Sequence, residues 1–323
     1  MAIMRAPMLR IVDLRSIGAR TLDPLFAEEQ SHWLEHLHWD YRPSLQLIGK
    51  FIEARSLCGC AAMAGDEPAG YGFYVLEEGK ALIGGLFVAP RFAGMGAGER
   101  VLEQLLGMVR QTPGVERIEA QLMPFGAPLD AIFESEHFSL HQRNFMLMRL
   151  SEASVEAAPL AAGLRMDPWD DRYFEACARL IQRSYEGHVD SQINDQYRTE
   201  AGALRFLKNI VILPGCGQFQ PAASFVVRQQ EAADGDELAG VVLTSAVSHG
   251  VGHTTQICVL PQFRHFALGK RLMAASIQAL RSARFQALSL TVTAANTRAV
   301  ELYKQIGFRT VKTFSAAVWA RSS

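Results

Sequence analysis

A strand, a turn and a helix start follow one another in the stretch Gln256-Ile-Cys-Val-Leu-Pro-Gln-Phe-Arg-His-Phe-Ala-Leu-Gly269. The apolar residues at its beginning predict a strand, and the small residues near its end mark the turn into a helix. The start of a helix presents backbone N–H groups without partners and the positive end of the helix dipole. A glycine there lets the backbone approach a ligand closely, so the stretch predicts a phosphate-binding loop.

A second helix is predicted further along the chain. Its sequence is Asn296-Thr-Arg-Ala-Val-Glu-Leu-Tyr303-Lys-Gln-Ile-Gly307-Phe308. One face of this helix carries the apolar and aromatic side chains, Ala299, Leu302, Tyr303 and Ile306. A period of three to four residues is typical of a helix with one buried face, and Gly307 is a stop signal.

Together the two runs resemble the Gcn5-related N-acetyltransferase (GNAT) superfamily. Its acyl-CoA loop reads Arg/Gln-x-x-Gly-x-Gly/Ala before a helix, and Asn-x-x-Ala-x-x-x-Tyr-x-x-x-Gly-Phe follows. The second pattern matches in full from Asn296 to Phe308. When Arg264 is matched to the first position of the loop, Ala267 stands where the family has its first glycine. We expect an alanine at that position to crowd the pyrophosphate.

The first half of the chain repeats this arrangement. A complete loop pattern ends an apolar strand at Val88-Ala-Pro-Arg91-Phe-Ala-Gly94-Met-Gly96-Ala97, and Phe133 falls where the second half has Tyr303. Arg91 and Arg264 are 173 positions apart, and Phe133 and Tyr303 are 170 apart. Such self-similarity indicates a duplicated unit with a three-residue slip.

The repeat and the length of 323 residues predict two domains. We assign residues 1–150 to the first, residues 151–163 to a linker and residues 164–323 to the second. The resemblance implies an α/β (α+β) fold with two tandem GNAT-type domains. Each would have a mixed, mostly antiparallel sheet with splayed middle strands and flanking helices. The first domain is degenerate, because Phe133 has no hydroxyl group and no asparagine matches Asn296.

The composition excludes several other classes of protein. A formal net charge of −1 disfavours a nucleic-acid binder, which concentrates Lys and Arg on one face. Apolar runs stay well short of the roughly 18 residues of a membrane span, so we expect no membrane partner and a cytoplasmic location. Cys58 and Cys60 have no second Cys or His pair nearby, and we predict two ordinary thiols and no metal site.

The resemblance implies acyl transfer from acetyl-CoA to an amine by direct attack in a ternary complex, with the chemistry in the second domain. Tyr303 would donate a proton to the departing thiolate, and a backbone N–H at or next to Val259 would polarise the thioester carbonyl. The alternative for Tyr303 is a half-buried core side chain. The cofactor-binding residues would be Ile257, Val259, Arg264, His265, Phe266, Ala267, Leu268, Gly269, Lys270 and Asn296, with Arg91, Gly94 and Gly96 in the first domain.

The acceptor amine needs a base and a binding pocket. His253 lies on the strand where the family often has a Glu, and histidine titrates near neutral pH, although a structural hydrogen bond is the common role of a strand histidine. The connection between the first two helices of the second domain would contact the acceptor. Its candidates are His188, Asp190, Asn194 and Tyr197, together with Gln256 of the strand; the alternative is a solvated loop with helix-capping side chains.

The acceptor itself is left open by the sequence. The fused second unit favours a small-molecule amine, and the chain would act as a monomer or a homodimer. A second class of function also stays open, a non-catalytic protein that binds or senses acyl-CoA. Ala267 in the loop favours this second class, and the intact pair of Asn296 and Tyr303 opposes it.

Overall fold

The computed structural model describes residues 8–126, 129–155, 159–213, 216–229 and 237–321. The chain forms two compact units. The first comprises residues 1–142 and 314–323, and the second comprises residues 143–313. Residues 156–158 of the predicted linker lie outside the described part of the chain.

The first half of the chain alternates strands and helices. Its elements are β1 (Leu9–Asp13), α1 (Asp23–Leu37), α2 (Arg42–Glu53), β2 (Cys58–Ala64), β3 (Glu67–Glu77), β4 (Lys80–Val88), α3 (Ala97–Arg110), β5 (Arg117–Gln121), α4 (Asp130–Ser135) and β6 (Ser139–Arg149).

The second half repeats this order and adds one short helix and one short strand after its first strand. Its elements are β7 (Leu164–Pro168), α5 (Phe174–Ser184), α6 (Asp190–Ile193), α7 (Glu200–Val211), β8 (Gln218–Phe219), β9 (Phe225–Gln229), β10 (Leu238–Ser248), β11 (Val251–Val259), α8 (Leu268–Ser282), β12 (Ala287–Thr293), α9 (Thr297–Ile306) and β13 (Arg309–Ala320). None of the described helices has the length and apolar composition that a membrane crossing requires.

Each unit contains a mixed sheet that is mostly antiparallel, which confirms the predicted fold class. The first unit has the strand order β1-β2-β3-β4-β5, with residues 316–320 of β13 paired to β5. The second has residues 143–149 of β6 paired to β12, followed by β11, β10, β9 and β7, and β8 pairs with β10. Parallel pairing occurs between β4 and β5 and between β11 and β12. Each sheet therefore takes its last strand from the other half of the sequence.

The two parallel pairs separate before the strands end. β11 pairs with β12 from Val251 to Thr254 but continues to Val259. β4 pairs with β5 from Lys80 to Ile83 but continues to Val88. Beyond these points the middle strands splay apart, as the family resemblance implied.

The spacing of the repeat in the structure differs from the 173 positions between Arg91 and Arg264. β4 and β11 both have nine residues and start 171 positions apart, at Lys80 and Val251. α3 and α8 also start 171 positions apart, at Ala97 and Leu268. The 173-residue match of Arg91 to Arg264 is therefore wrong in structural terms, and Arg91 corresponds to Gln262.

This correction changes which residues of the loop are equivalent. Gly96 and Ala267 each precede the helix with a left-handed backbone, at φ 72° and φ 53°. Ala267 thus occupies the last position of the family loop, where the pattern allows alanine, and His265 occupies the first glycine position. A left-handed backbone disfavours any residue with a Cβ, so glycine suits this position better than alanine does.

Both faces of the second sheet are covered by helices. Val241 and Val242 are neighbours in β10 and are both fully buried, but their side chains join different apolar clusters. Successive strand residues point to opposite faces, so α8 and α9 pack on one face and α5 and α7 pack on the other. The first unit has its own core around β2, β3 and α3.

Candidate active site

A cleft of about 560 Å³ lies within the second unit, beside the splayed end of β11. Nine of the residues predicted from the sequence line it: His188, Ile257, Val259, Arg264, Ala267, Gly269, Lys270, Asn296 and Tyr303. They come from the connection after α5, from β11, from the start of α8 and from α9. The fold thus brings the loop and the Asn296–Tyr303 run to one place.

Other residues predicted from the sequence do not line the cleft in the described part of the chain. Leu268 is fully buried in the core, whereas Phe266 is 40% exposed. The remaining predicted residues outside the lining are His253, His265, Asp190, Asn194, Tyr197 and Gln256 of the second unit and Arg91, Gly94 and Gly96 of the first. Asp190 and Gln256 nevertheless contact residues that line the cleft.

Three cationic side chains line the cleft, Arg264, Lys270 and Arg298. Arg264 is held in place, because its guanidinium donates to the carbonyl of Ser184 at 2.9 Å and to that of Val259 at 3.3 Å. Arg298 donates to the carbonyl of Arg264 at 2.8 Å. Arg298 is not among the predicted site residues, since the family pattern leaves its position open. Together with the N-terminus of α8, these three cations outnumber the one carboxylate of the described lining, Glu301, so the cleft carries a positive balance of charge.

The edge of β11 offers backbone groups to the cleft. Leu260 donates to Ala239 of β10 at 3.0 Å. In an antiparallel pair this orientation alternates, so the N–H groups of Val259 and Ile257 point away from β10, towards the side where β12 has splayed away. Ile257 N–H is covered, because it donates to Oε1 of Gln256 at 2.9 Å. Val259 is therefore the residue whose N–H suits a ligand carbonyl.

Gln256 is part of a small buried network. Its Oε1 also accepts from the Tyr185 hydroxyl at 2.9 Å. Its Nε2 is buried and has no hydrogen-bond partner among the described residues. Tyr185 also lines the cleft; it is not among the predicted site residues, although it lies in the polar segment that contains His188.

Tyr303 presents a protonated phenol to the cleft. The side chain is only 7% exposed, and its ring packs edge-on against Phe308 at a centroid distance of 5.9 Å. Burial, with a smaller contribution from the charge of Asp190, raises the pKa of Tyr303 well above its ordinary value. Tyr303 therefore keeps its proton at neutral pH and remains a hydrogen-bond donor.

Asn296 joins the start of α9 to the connection after α5. Its Oδ1 accepts from the backbone N–H of Ala299 at 3.3 Å, which is a helix N-cap. Its Nδ2 lies 3.4 Å from Nε2 of His188. Asn296 thus holds both the helix that carries Tyr303 and a histidine of the cleft.

His253 lies in the interior of the sheet. It is 8% exposed, and its Nδ1 lies 2.9 Å from the Ser289 hydroxyl. Burial, reinforced by the nearby charge of Arg143, lowers the pKa of His253 to about 3. The ring is therefore neutral and hydrogen-bonded within the sheet at neutral pH.

The corresponding region of the first unit is arranged differently. Arg91 is ion-paired with Glu67, at 2.7 Å, and with Glu28. Val88 corresponds to Val259 at the 171-residue spacing, and its carbonyl is closely approached by Gly126, where an added Cβ would lie 2.8 Å away. The chain itself thus covers the end of β4 that matches the open end of β11.

The protein-family model described as "Acetyltransferase (GNAT) family" matches this chain over residues 20–135 and 176–308. These two ranges together span well over half of the chain, one in each half of the repeat.

Two curated proteins are similar in sequence. A mycothiol acetyltransferase from Thermobispora bispora is 28% identical over 246 residues, which are 76% of this chain and 77% of that protein. An N-alpha-acetyltransferase from Sulfurisphaera tokodaii is 37% identical over 62 residues, which are 19% of this chain and 37% of that protein.

Solved structures share the fold. A GCN5-related N-acetyltransferase from Sphaerobacter thermophilus has a TM-score of 0.63 at 16% identity, covering 98% of this chain and 96% of that one. A tandem GNAT protein from the clavulanic acid biosynthesis pathway has a TM-score of 0.59 at 16% identity, covering 98% and 99%. At this level of identity the likeness concerns the fold alone.

Proposed function

The chain belongs to the acetyltransferase (GNAT) family and is an N-acetyltransferase, and we propose that it moves an acetyl group from acetyl-CoA to a small-molecule amine, with the chemistry in its second unit. The observation that carries the proposal is the meeting, in one cleft, of the α8 start, three cationic side chains and Tyr303. The name of the Thermobispora relative supports a small-molecule acceptor.

The residues of the cleft fit acetyl-CoA. Arg264, Lys270 and Arg298, with the N-terminal amides of α8, would hold phosphate groups by charge and hydrogen bonds. The splayed edge of β11 provides backbone groups for the amide-containing arm of the molecule. Acetyl-CoA, when bound, supplies the acetyl group in activated form as a thioester.

Two groups of the chain act on the reacting atoms in this proposal. The N–H of Val259 donates a hydrogen bond to the carbonyl oxygen, where negative charge develops during attack, and such stabilisation is usually a large catalytic contribution. Tyr303 donates its proton to the departing sulfur. Its buried, protonated state suits a general acid.

Cys258 is the one cysteine in the described lining of the cleft. The protonation of its thiol supports direct attack by the amine. Burial raises the pKa of this thiol to about 12, although the nearby Ser184 and Arg264 oppose the shift. The thiolate is the nucleophilic form of cysteine. A thiol that stays protonated at neutral pH is unsuited to carrying an acyl group between two steps.

The first unit is assigned no turnover in this proposal. Arg91 is neutralised by two carboxylates, which would repel phosphate. Phe133, which corresponds to Tyr303, provides no proton. Gly126 covers the carbonyl of Val88 at the end of β4.

Calorimetric titration of acetyl-CoA into matched glycine variants tests the proposal. At Gly269 an added Cβ meets only Leu302, at 3.5 Å, so Gly269→Glu puts a carboxylate into the cleft without a backbone clash. Gly94→Glu is the matched variant in the first unit, where an added Cβ has nothing within 4 Å.

We expect the wild type and Gly94→Glu to bind acetyl-CoA with equal affinity and Gly269→Glu to lose binding. Thioester consumption with a panel of primary amines should show the same pattern. If Gly269→Glu binds normally and Gly94→Glu does not, the assignment to the second unit is wrong. If the wild type consumes no thioester with any amine, the proposed reaction is wrong.

A further inference from the structure

One carboxylate beside the cleft has an oxygen without a hydrogen bond. Asp190 belongs to the connection after α5, and its side chain is 14% exposed. Its Oδ1 accepts from the hydroxyl of Thr293, which ends β12. Its Oδ2 accepts no hydrogen bond from the described part of the chain. Thr293 therefore fixes the carboxylate and leaves Oδ2 to bind another donor.

His188 lies close to Oδ2 but does not bond to it. Its Nδ1 is 3.5 Å from Oδ2 of Asp190, and it accepts from the backbone N–H of Asp190 at 3.2 Å. A ring nitrogen that accepts a hydrogen bond carries no proton of its own. The histidine therefore does not donate from Nδ1 to the carboxylate.

No lysine or arginine in the described ranges forms an ion pair with Asp190. The carboxylate of the described cleft lining, Glu301, is different, because it is 62% exposed and lies 3.0 Å from Nζ of Lys304. A charge that is largely buried is unfavourable unless it is paired. Asp190 is therefore suited to a cationic partner that the described residues do not supply.

Tyrosine rings lie near this carboxylate. Tyr185 packs edge-on against the ring of His188 at a centroid distance of 5.4 Å, and Tyr197 stacks on Tyr185 at 4.3 Å. Burial, with a smaller contribution from the charge of Asp190, raises the pKa of both phenols, although Arg143 opposes the shift at Tyr197. Aromatic faces attract cations. These surroundings suit an ammonium group.

The hydroxyl of Tyr185 offers a second acceptor. It donates to Oε1 of Gln256 at 2.9 Å, and a phenol oxygen has lone pairs besides its proton. Tyr185 and His188 line the cleft, whereas Asp190 lies behind them and outside the lining. An ammonium group near Asp190 would therefore lie at the rear of the cleft.

The negative charge suits a group that stays charged during the reaction. A carboxylate next to an amine favours the ammonium form, which has no lone pair for attack on a thioester. Beside the attacking nitrogen, Asp190 would oppose the reaction. Its place outside the lining that contains Val259 and Tyr303 also separates it from the groups assigned to the reacting atoms.

We propose that Asp190 binds a second cationic group of the acceptor, so that the substrate is an aliphatic amine with a further ammonium group. One amino group would attack the thioester while the other stays against Oδ2 of Asp190. This inference rests on the proposed acetyl transfer to a small-molecule amine and names the class of that amine.

Matched acceptors test the proposal on the wild type. We measure kcat/KM for thioester consumption with α,ω-diamines of increasing chain length, and with amino alcohols and alkylamines of the same lengths. For at least one length the diamine should exceed both others by about 10-fold or more, as expected for a hydrogen bond to a charged group. Equal values at every length would overturn the proposal.

A pair of variants assigns the preference to one side chain. Asp190→Asn keeps an oxygen for the Thr293 hydroxyl but removes the charge, and it should remove most of the preference for the diamine. Glu186→Gln is the matched control, because Glu186 is an exposed carboxylate four residues before Asp190, and it should keep the preference. A preference that persists in Asp190→Asn would overturn the role of Asp190.

A measurement without turnover separates this inference from the proposed reaction. Calorimetric titration of the same diamines and amino alcohols, with CoA in place of acetyl-CoA, reports binding alone. A diamine should bind the wild type about 10-fold more tightly than the amino alcohol, and Asp190→Asn should lose this difference. Equal binding of the two would contradict the second charge. A wild type that consumes no thioester with any amine refutes the proposed function instead.

Discussion

Nδ1 of His253 lies 2.9 Å from the hydroxyl oxygen of Ser289, its partner on the neighbouring parallel strand. The Ser289 hydroxyl donates to the carbonyl of Gly252 at 3.2 Å, so the ring nitrogen donates to the serine oxygen. The pair links β11 to β12 just before the two strands separate. His253 thus joins the two strands next to the cleft.

Replacing His253 should affect stability more than catalysis. His253→Asn keeps a donor near Ser289 but loses the buried ring, and we expect the free energy of unfolding to fall by about 1–3 kcal/mol. The pH profile of kcat/KM should keep its shape, because the ring stays neutral at neutral pH. Urea unfolding and pH-dependent kinetics measure the two effects. Loss of the acidic limb in this variant would make His253 the base.

Removing the hydroxyl of Tyr303 should slow turnover without weakening cofactor binding. Tyr303→Phe keeps the ring that packs on Phe308, and kcat should fall by about 10²–10⁴-fold, as expected for one general acid. The dissociation constant of acetyl-CoA, measured by calorimetry, should stay the same.

The equivalent position of the first unit supplies the control for this variant. Adding Phe133→Tyr to Tyr303→Phe should not restore turnover, because Arg91 is ion-paired and the end of β4 is covered. Recovered turnover in the double variant would place the chemistry in the first unit.

The residues before α3 and α8, Gly96 and Ala267, both have a left-handed backbone. Exchanging glycine and alanine at these positions should change the free energy of unfolding in opposite directions. Ala267 has φ 53°, and Ala267→Gly should raise the free energy of unfolding by about 1 kcal/mol, because a left-handed backbone disfavours a Cβ. Gly96 has φ 72° and open space around an added Cβ, so Gly96→Ala should lower it by a similar amount. Denaturant unfolding measures both. A destabilising Ala267→Gly would show that the backbone strain is absent.

Glu29 predicts a pH-dependent stability of the first unit. Burial raises the pKa of Glu29 to about 7, although the hydrogen bonds from Tyr71 and Trp33 oppose this. Between about pH 4.5 and 7 the folded chain holds a proton that the unfolded chain releases. The free energy of unfolding should therefore fall as the pH rises through this window, by about 3 kcal/mol.

Glu29→Gln tests this expectation, since glutamine is neutral at every pH and keeps an acceptor for Tyr71. Urea unfolding of the variant should lack the fall seen in the wild type between pH 4.5 and 7. Glu35→Gln, an exposed change on the same helix, should keep it. An identical pH dependence in the wild type and Glu29→Gln would assign the effect to other groups.

The sequence predicted the repeated strand–loop–helix segments but not their structural register. Both helices start where the turn pattern places them, at Ala97 and Leu268. The match of Arg91 to Arg264 failed by two positions, because a side-chain pattern does not report backbone torsion angles. The left-handed residues Gly96 and Ala267 define the equivalent positions.

Local sequence determined the elements of this protein, since helix periodicity, turn residues and the Asn296–Phe308 pattern act over a few neighbouring residues. Only the tertiary structure decided which strands complete each sheet, because residues 143–149 and 316–320 pair with partners more than a hundred positions away. The same holds for the candidate site. Asp190 meets Thr293 through the packing of a loop against the end of β12, and contacts over such separations depend on the order of the strands.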